Sequence, residues 1–182
     1  NSPVSLYAAT KRADELMSES YARLYGMRQV GLRFFTVYGP WGRPDMAYWS
    51  FAEKILAGEP VQVFNHGELE RDFTYIDDVV SGVVATALQP MKLVNDVPHR
   101  IYNIGNNTPI KLMRFIEVLE QAIGKKAQLQ FEPMQPGDVH STYADVSAIA
   151  ADYGFAPSTP LETGIPIFID WFRTYLENQA NS

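Results

Sequence analysis

The feature that most constrains this sequence is the exchange of two apolar periods along it. Runs in which apolar residues return every three or four positions alternate with short runs rich in β-branched and aromatic residues, and glycine or proline punctuates most of the changes. A helical period and a strand period cannot occupy one segment, so the exchange dictates helix, strand, helix in succession. Strands separated by helices are joined by crossovers and pair in parallel, so the expected class is α/β.

Leu6, Ala9, Ala13, Leu16, Met17 and Leu24 keep helical spacing and Gly26 ends it, which predicts a helix over residues 3–25 with Ser2 as its cap and Pro3 in its first turn. A chain that opens on a helix cap, without methionine, reads as cut from something longer. Residues 29–38, QVGLRFFTVY, read as one buried strand ending at Gly39-Pro40. A helix over 48–57 stops at Gly58, and a strand over 61–64 closes in the turn Asn65-His66-Gly67. Residues 71–75 are extended, and Asp77-Asp78 stand where a helix over 79–88 needs an acidic cap. A strand over 100–104, a helix opened by Thr108-Pro109 and ended by Gly124, a strand over 126–132, a helix near 146–153 and a C-terminal helix over 161–176 complete the order. Four strand candidates are few for a complete open sheet. They resemble the edge of one sheet plus a small second one, with strand partners missing.

A length of 182 residues supports one domain with a real core, and 46% apolar content with 13% aromatics excludes disorder. Fifteen basic against twenty-one acidic side chains, a net charge of −6, speak against general nucleic-acid binding. The absence of cysteine excludes a disulfide scaffold and thiolate metal sites. The longest nearly unbroken apolar stretch, residues 79–88, falls far short of the roughly 20 residues that span a bilayer. With no charged-then-apolar leader at the start, a cytoplasmic protein with no membrane partner is expected.

The sequence contains no GxGxxG, no GxxGxxG and no GxSxG, and His66, His99 and His140 lack ligand spacing. Triad hydrolysis and metal catalysis drop out. Tyr7 and Lys11 remain, four residues apart on the opening helix and therefore on one face of it. Taken alone, such a pair also reads as two surface side chains. Its chemistry is specific all the same. A phenol acting as general base near neutrality must ionise about three pH units below its ordinary value, which costs about 4 kcal/mol. One cation about 4 Å away in a partly screened site supplies an amount of that order.

Tyr7-Ala8-Ala9-Thr10-Lys11, RFFTVYGPWGRPDM over 33–46, RDFTYIDDV over 71–79 and PMQPGDV over 133–139 stand in one order along the chain. Together they resemble the extended short-chain dehydrogenase/reductase family and, within it, the group of UDP-glucuronate 4-epimerases. The resemblance implies the C-terminal part of a Rossmann-type nucleotide-sugar epimerase: the last sheet strands plus a small substrate-binding α/β subdomain, with residues 1–182 as one truncated unit. It also implies that the family's N-terminal segment, with its glycine motif and catalytic Ser/Thr hydroxyl, lies upstream of Asn1. The 182 residues alone are then expected neither to bind NAD nor to turn over.

By the same resemblance Tyr7 removes the proton of the sugar 4-hydroxyl while hydride passes to NAD. Lys11 assists the phenol and binds the nicotinamide ribose, and Phe34 meets the nicotinamide amide through its backbone. The 4-keto sugar turns over and is reduced on its other face, so C4 inverts. Thr36 touches the substrate. Arg43, a guanidinium in a glycine/proline loop, suits a sugar carboxylate better than a neutral hexose. Gln62 and Phe64 lie on the strand that reads uracil, Arg71 matches the pyrophosphate arginine and Asp138 the acid on the uridine ribose. Gln135 stands where many relatives carry arginine, which leaves more of the diphosphate charge to Arg71. This reading requires Tyr7 and Arg43 to face a shared cleft. Its alternatives are dehydration or decarboxylation of the 4-keto sugar, or a non-catalytic nucleotide-sugar-binding fragment. Open strand edges and the Tyr/Lys helix face lead to the expectation of a homodimer.

Overall fold

The computed structural model describes residues 5–93, 96–134 and 139–180. The first helix, α1 (Leu6–Tyr25), is followed by two strands, β1 (Gln29–Phe34) and β2 (Thr36–Tyr38), and by α2 (Ala47–Ala57). Next come β3 (Pro60–Phe64), a 3-10 turn (Asn65–Gly67), β4 (Glu70–Arg71), β5 (Phe73–Tyr75) and α3 (Ile76–Leu88). The chain ends with β6 (His99–Ile104), β7 (Ile110–Lys111), α4 (Leu112–Ile123), β8 (Gln128–Glu132), α5 (Ser147–Tyr153) and α6 (Leu161–Ala180).

Parallel pairing holds for β1 with β6, β2 with β5 and β3 with β8, while β4 and β7 run antiparallel. Eight short strands therefore replace the four expected among the described residues. The segment 29–38 is two strands, not one. At Phe35 the chain leaves one neighbour for another: Phe35 N–H donates to Ile104 O at 3.1 Å, and Thr36 N–H to Asp72 O at 3.2 Å. An unbroken run of β-branched and aromatic residues carries no mark of a change in partner.

Three helix starts also differ from expectation. Ser5, extended at φ −142° and ψ 160°, caps α1 by accepting Ala8 N–H at 3.1 Å; the expected cap at Ser2-Pro3 lies outside the described residues. Helix α3 begins at Ile76 without a side-chain cap, and Asp78 instead accepts Thr159 N–H at 2.9 Å. Asp77 and Asp78 still sit in the first turn, where the helix dipole favours them. Helix α4 begins at Leu112 rather than Thr108, because 110–111 pair with β4 and Leu112 N–H donates to Leu69 O at 2.8 Å. The strand expected over 126–132 starts at Gln128, and α6 runs past 176 to Ala180.

Two apolar clusters hold these elements. The larger joins α2, α4 and α6 to β3 and β5 through Tyr48, Ile55, Val61, Phe73, Phe115, Ile116, Ile165 and Phe168. Helix α4 turns Leu112, Phe115, Ile116, Leu119 and Ile123 inward at helical spacing, and Phe115 stacks on Phe73 with ring centroids 4.1 Å apart. The smaller cluster packs α3 and α5 on β6 through Val79, Tyr102, Ile104, Ile149, Tyr153 and Phe155. Among the described residues no helix is long and apolar enough to cross a membrane.

Candidate active site

Because Ser5 sets the first turn of α1, Tyr7 and Lys11 project from successive turns of its open face. Tyr7 is 73% exposed, and the Lys11 ammonium pairs with Asp14 at 3.1 Å. That hydrogen bond, with the charge of the carboxylate, holds the ammonium pKa above its ordinary value. Both side chains line an open cleft of about 970 Å³ between α1 and β1. Phe34 lines the same cleft from the end of β1 and is 52% exposed, so three residues expected at a cofactor face are brought together.

The floor of the cleft is charged, which the sequence reading missed. Glu15, one turn beyond Lys11, accepts from Arg33 Nε at 2.5 Å and Arg33 Nη2 at 2.8 Å, and from Arg12 Nη1 at 2.6 Å. These guanidiniums, Arg33 first, depress the Glu15 pKa to about 2. The bidentate pair ties the Tyr/Lys helix to the strand that carries Phe34. A glutamate four residues after Lys11 on the same face was the available signal; its partner eighteen residues on was not.

The remaining expected site residues lie elsewhere. Thr36 is half-buried in β2, beside the chain crossing described above. Arg43 does not line the cleft with Tyr7; it stands in the loop 39–46, its Nε 3.5 Å from Asp45 Oδ1 and its Nη2 3.5 Å from Met46 Sδ. The shared cleft required of Tyr7 and Arg43 is thus not formed by the described residues. That loop follows the carboxyl end of β2, the end at which open parallel sheets bind ligands. Gln62 and Phe64 lie on β3, opposite Gln130 and Glu132 of β8. Arg71 Nη1 donates to Glu70 O and Val139 O, both at 2.8 Å, so its guanidinium reaches the segment that follows PMQPGD. Asp138 and Gln135 lie outside the described residues.

Next to Arg71, Asp72 is fully buried and satisfied. Its Oδ1 accepts Asn106 N–H at 2.6 Å and the Thr74 hydroxyl at 3.1 Å. Its Oδ2 accepts Asn107 N–H at 2.9 Å and Ala144 N–H at 2.8 Å. One carboxylate thereby joins the Arg71 strand, the turn after β6 and the segment beyond 139. A lone acid inside an aromatic extended run was the sign of it in the sequence.

Residues 2–105 match the family described as NAD dependent epimerase/dehydratase. An uncharacterized protein of Methanocaldococcus jannaschii is 50% identical over 97% of the chain and 52% of its own length. UDP-glucuronate 4-epimerase 1 of Arabidopsis thaliana is 43% identical over 95% of the chain and 43% of its own length. Among solved structures, UDP-glucuronic acid 4-epimerase from Bacillus cereus, in complex with UDP-glucuronic acid and NAD, superposes with a TM-score of 0.88. It is 32% identical, and the match covers 96% of the chain and 54% of that structure. The chain spans about half the length of the curated relatives it matches. Its α/β architecture is that of Rossmann-type epimerase and dehydratase structures over the matched half. With the family pattern running from residue 2 to 105, more than half of its length, the chain belongs to the NAD dependent epimerase/dehydratase family.

Proposed function

We propose that this chain supplies the Tyr/Lys helix and the substrate-binding part of an NAD-dependent enzyme that inverts C4 of a UDP-sugar acid. The substrates in this reading are UDP-glucuronate and UDP-galacturonate. The observation that carries it is the gathering of Tyr7, Lys11 and Phe34 around one cleft at the edge of β1. The cleft offers an aromatic wall for a flat ring and an ammonium for hydroxyl or anionic groups, which suits the nicotinamide end of a dinucleotide. NAD, when bound, supplies the acceptor and donor of hydride at C4.

Tyr7 takes the 4-hydroxyl proton and returns it after the sugar has turned. Lys11 stabilises the phenolate, and its pairing with Asp14 gives way to the phenol and the cofactor ribose as the site fills. The Glu15–Arg33 pair keeps the helix in register with Phe34. Thr36 meets the sugar, Arg43 its carboxylate, Gln62 and Phe64 the base, Arg71 the diphosphate and Asp138 the ribose. Among the described residues β1 pairs with β6 alone, and in this reading its other edge receives a cofactor-binding segment. In this reading one substrate reaches from Tyr7 to Arg43, a span that the described residues do not enclose as a single cleft. Leu16, Met17, Tyr21 and Leu24, all at least half exposed on α1, form the face of a homodimer.

The product of the full reading frame, given NAD and UDP-glucuronate, is expected to form UDP-galacturonate, separable by anion-exchange chromatography. Tyr7→Phe should lower kcat by about 10²-fold or more. Absence of the epimer, or a Tyr7→Phe variant as fast as the parent, refutes the reading.

A further inference from the structure

Trp41 is the most conspicuous residue that the proposed reaction leaves unused. Trp41 is 82% exposed, and its backbone sits at φ 63°, a left-handed conformation that glycine, asparagine and aspartate adopt far more readily than a bulky residue. A large apolar ring in water on a strained backbone is selected against twice unless the ring has work to do. Among the described residues its ring contact is Trp171 of α6, with centroids 5.4 Å apart. Trp171 is itself fixed: it stacks on Tyr175 at 5.3 Å and meets Trp49 at 5.6 Å.

The loop around Trp41 is pinned on both sides. A Cβ on Gly39 would lie 2.6 Å from Ile76 Cγ2, and one on Gly42 would lie 1.5 Å from the Tyr48 hydroxyl, so the backbone lies flat on the core at both positions. Arg43 follows directly, its side chain 75% exposed, and among the described residues its guanidinium meets Asp45 at 3.5 Å and the Met46 sulfur at 3.5 Å. Among the described residues the ring contact between this turn and the C-terminal helix is that of Trp41 with Trp171.

We propose that Trp41, latched on Trp171, is a positioning residue that holds Arg43 for the carboxylate of a sugar acid and so sets the preference for acidic over neutral UDP-sugars. The inference rests on the assignment of Arg43 made above. A guanidinium that must meet two carboxylate oxygens tolerates little displacement, whereas a neutral hexose makes no such demand.

The test uses the product of the full reading frame and compares its dissociation constants for UDP-glucuronate and UDP-glucose. Trp41→Asn keeps the left-handed backbone and removes the ring; Trp41→Phe keeps a ring; Arg43→Gln removes the guanidinium. The preference for UDP-glucuronate is expected to fall about tenfold in Trp41→Asn and in Arg43→Gln. It should recover largely in Trp41→Phe, and kcat should change less than KM in Trp41→Asn. If Arg43→Gln loses the preference and Trp41→Asn retains it, the latch is refuted and the reading of Arg43 stands. If Arg43→Gln retains the preference, that reading falls and the inference with it. An equal loss for both sugars in Trp41→Asn also overturns the proposal, since the ring would then serve the fold alone. Should Trp41→Asn fail to fold, Trp171→Leu breaks the same contact from the other side and is judged by the same ratio.

Discussion

Asp72→Asn tests the claim that one buried carboxylate joins the strand after Arg71, the turn after β6 and the segment beyond 139. The parent side chain accepts three backbone N–H groups and one hydroxyl, and it is fully buried. An asparagine can offer only one oxygen. Placing that oxygen toward Asn107 and Ala144 keeps two bonds, and the Thr74 hydroxyl can rotate to accept from the new NH₂ group. Asn106 N–H is then left facing a donor, at a cost of about 1–3 kcal/mol. The two surviving bonds lose their charge assistance, about 1 kcal/mol each. The expected sum, allowing for water reaching the partly buried Asn106, is about 2–4 kcal/mol. Thr74→Val provides the control, since it removes the weakest of the four contacts and should cost about 1 kcal/mol. Urea unfolding of parent and variants, followed by tryptophan fluorescence and circular dichroism, gives the differences. An Asp72→Asn variant within about 0.5 kcal/mol of the parent at equal denaturant slope would refute the reasoning, because substitutions of that size mark sites without such a network.

Three further outcomes are expected. The folded-state pKa of Glu15, about 2, lies below its ordinary value of 4.5, so its stabilisation is complete above pH 4.5 and is lost as pH falls toward 2. Discounted for solvent in the open cleft this is about 1–2 kcal/mol, and Glu15→Gln should remove that part of the acid sensitivity in unfolding titrations; an unchanged acid profile would contradict it. Gly42→Ala places a methyl 1.5 Å from the Tyr48 hydroxyl and should cost about 1–3 kcal/mol by overpacking. Gly124→Ala meets nothing within 4 Å and should show only its left-handed strain, about 1–2 kcal/mol, whereas a Gly42→Ala variant as stable as the parent in thermal unfolding would overturn the steric account. Phe115→Ala removes a fully buried ring stacked on Phe73 and should cost about 3–5 kcal/mol by thermal unfolding, with a loss below about 1 kcal/mol excluding its role in the core.

The helix carrying Tyr7 and Lys11 was legible because its apolar spacing spans five turns and a four-residue interval fixes two side chains to one face. The glycine stops were equally legible: Gly26, Gly58 and Gly124 all adopt the left-handed cap that ends a helix, and Gly154, which the sequence reading did not single out, does the same after α5. The division of 29–38 was not, because the break at Phe35 comes from the separate partners β5 and β6, distant in sequence. The same cause hid the start of α4, whose first two expected residues after the proline are claimed by pairing with β4. Asp72 and Glu15 were visible as residues but not as junctions, since their donors lie up to 72 and 18 positions away.

The sequence by itself determined the alternation of helices and strands, the face shared by Tyr7 and Lys11, and the family to which the four ordered motifs point. Periodicity and local motifs are short-range properties, and a chain carries them before it folds. Only the tertiary structure decided which strands pair, where Arg43 stands relative to Tyr7, and that an exposed tryptophan rests on the last helix. Those depend on groups far apart in the chain coming within a few ångströms, and no local rule encodes that.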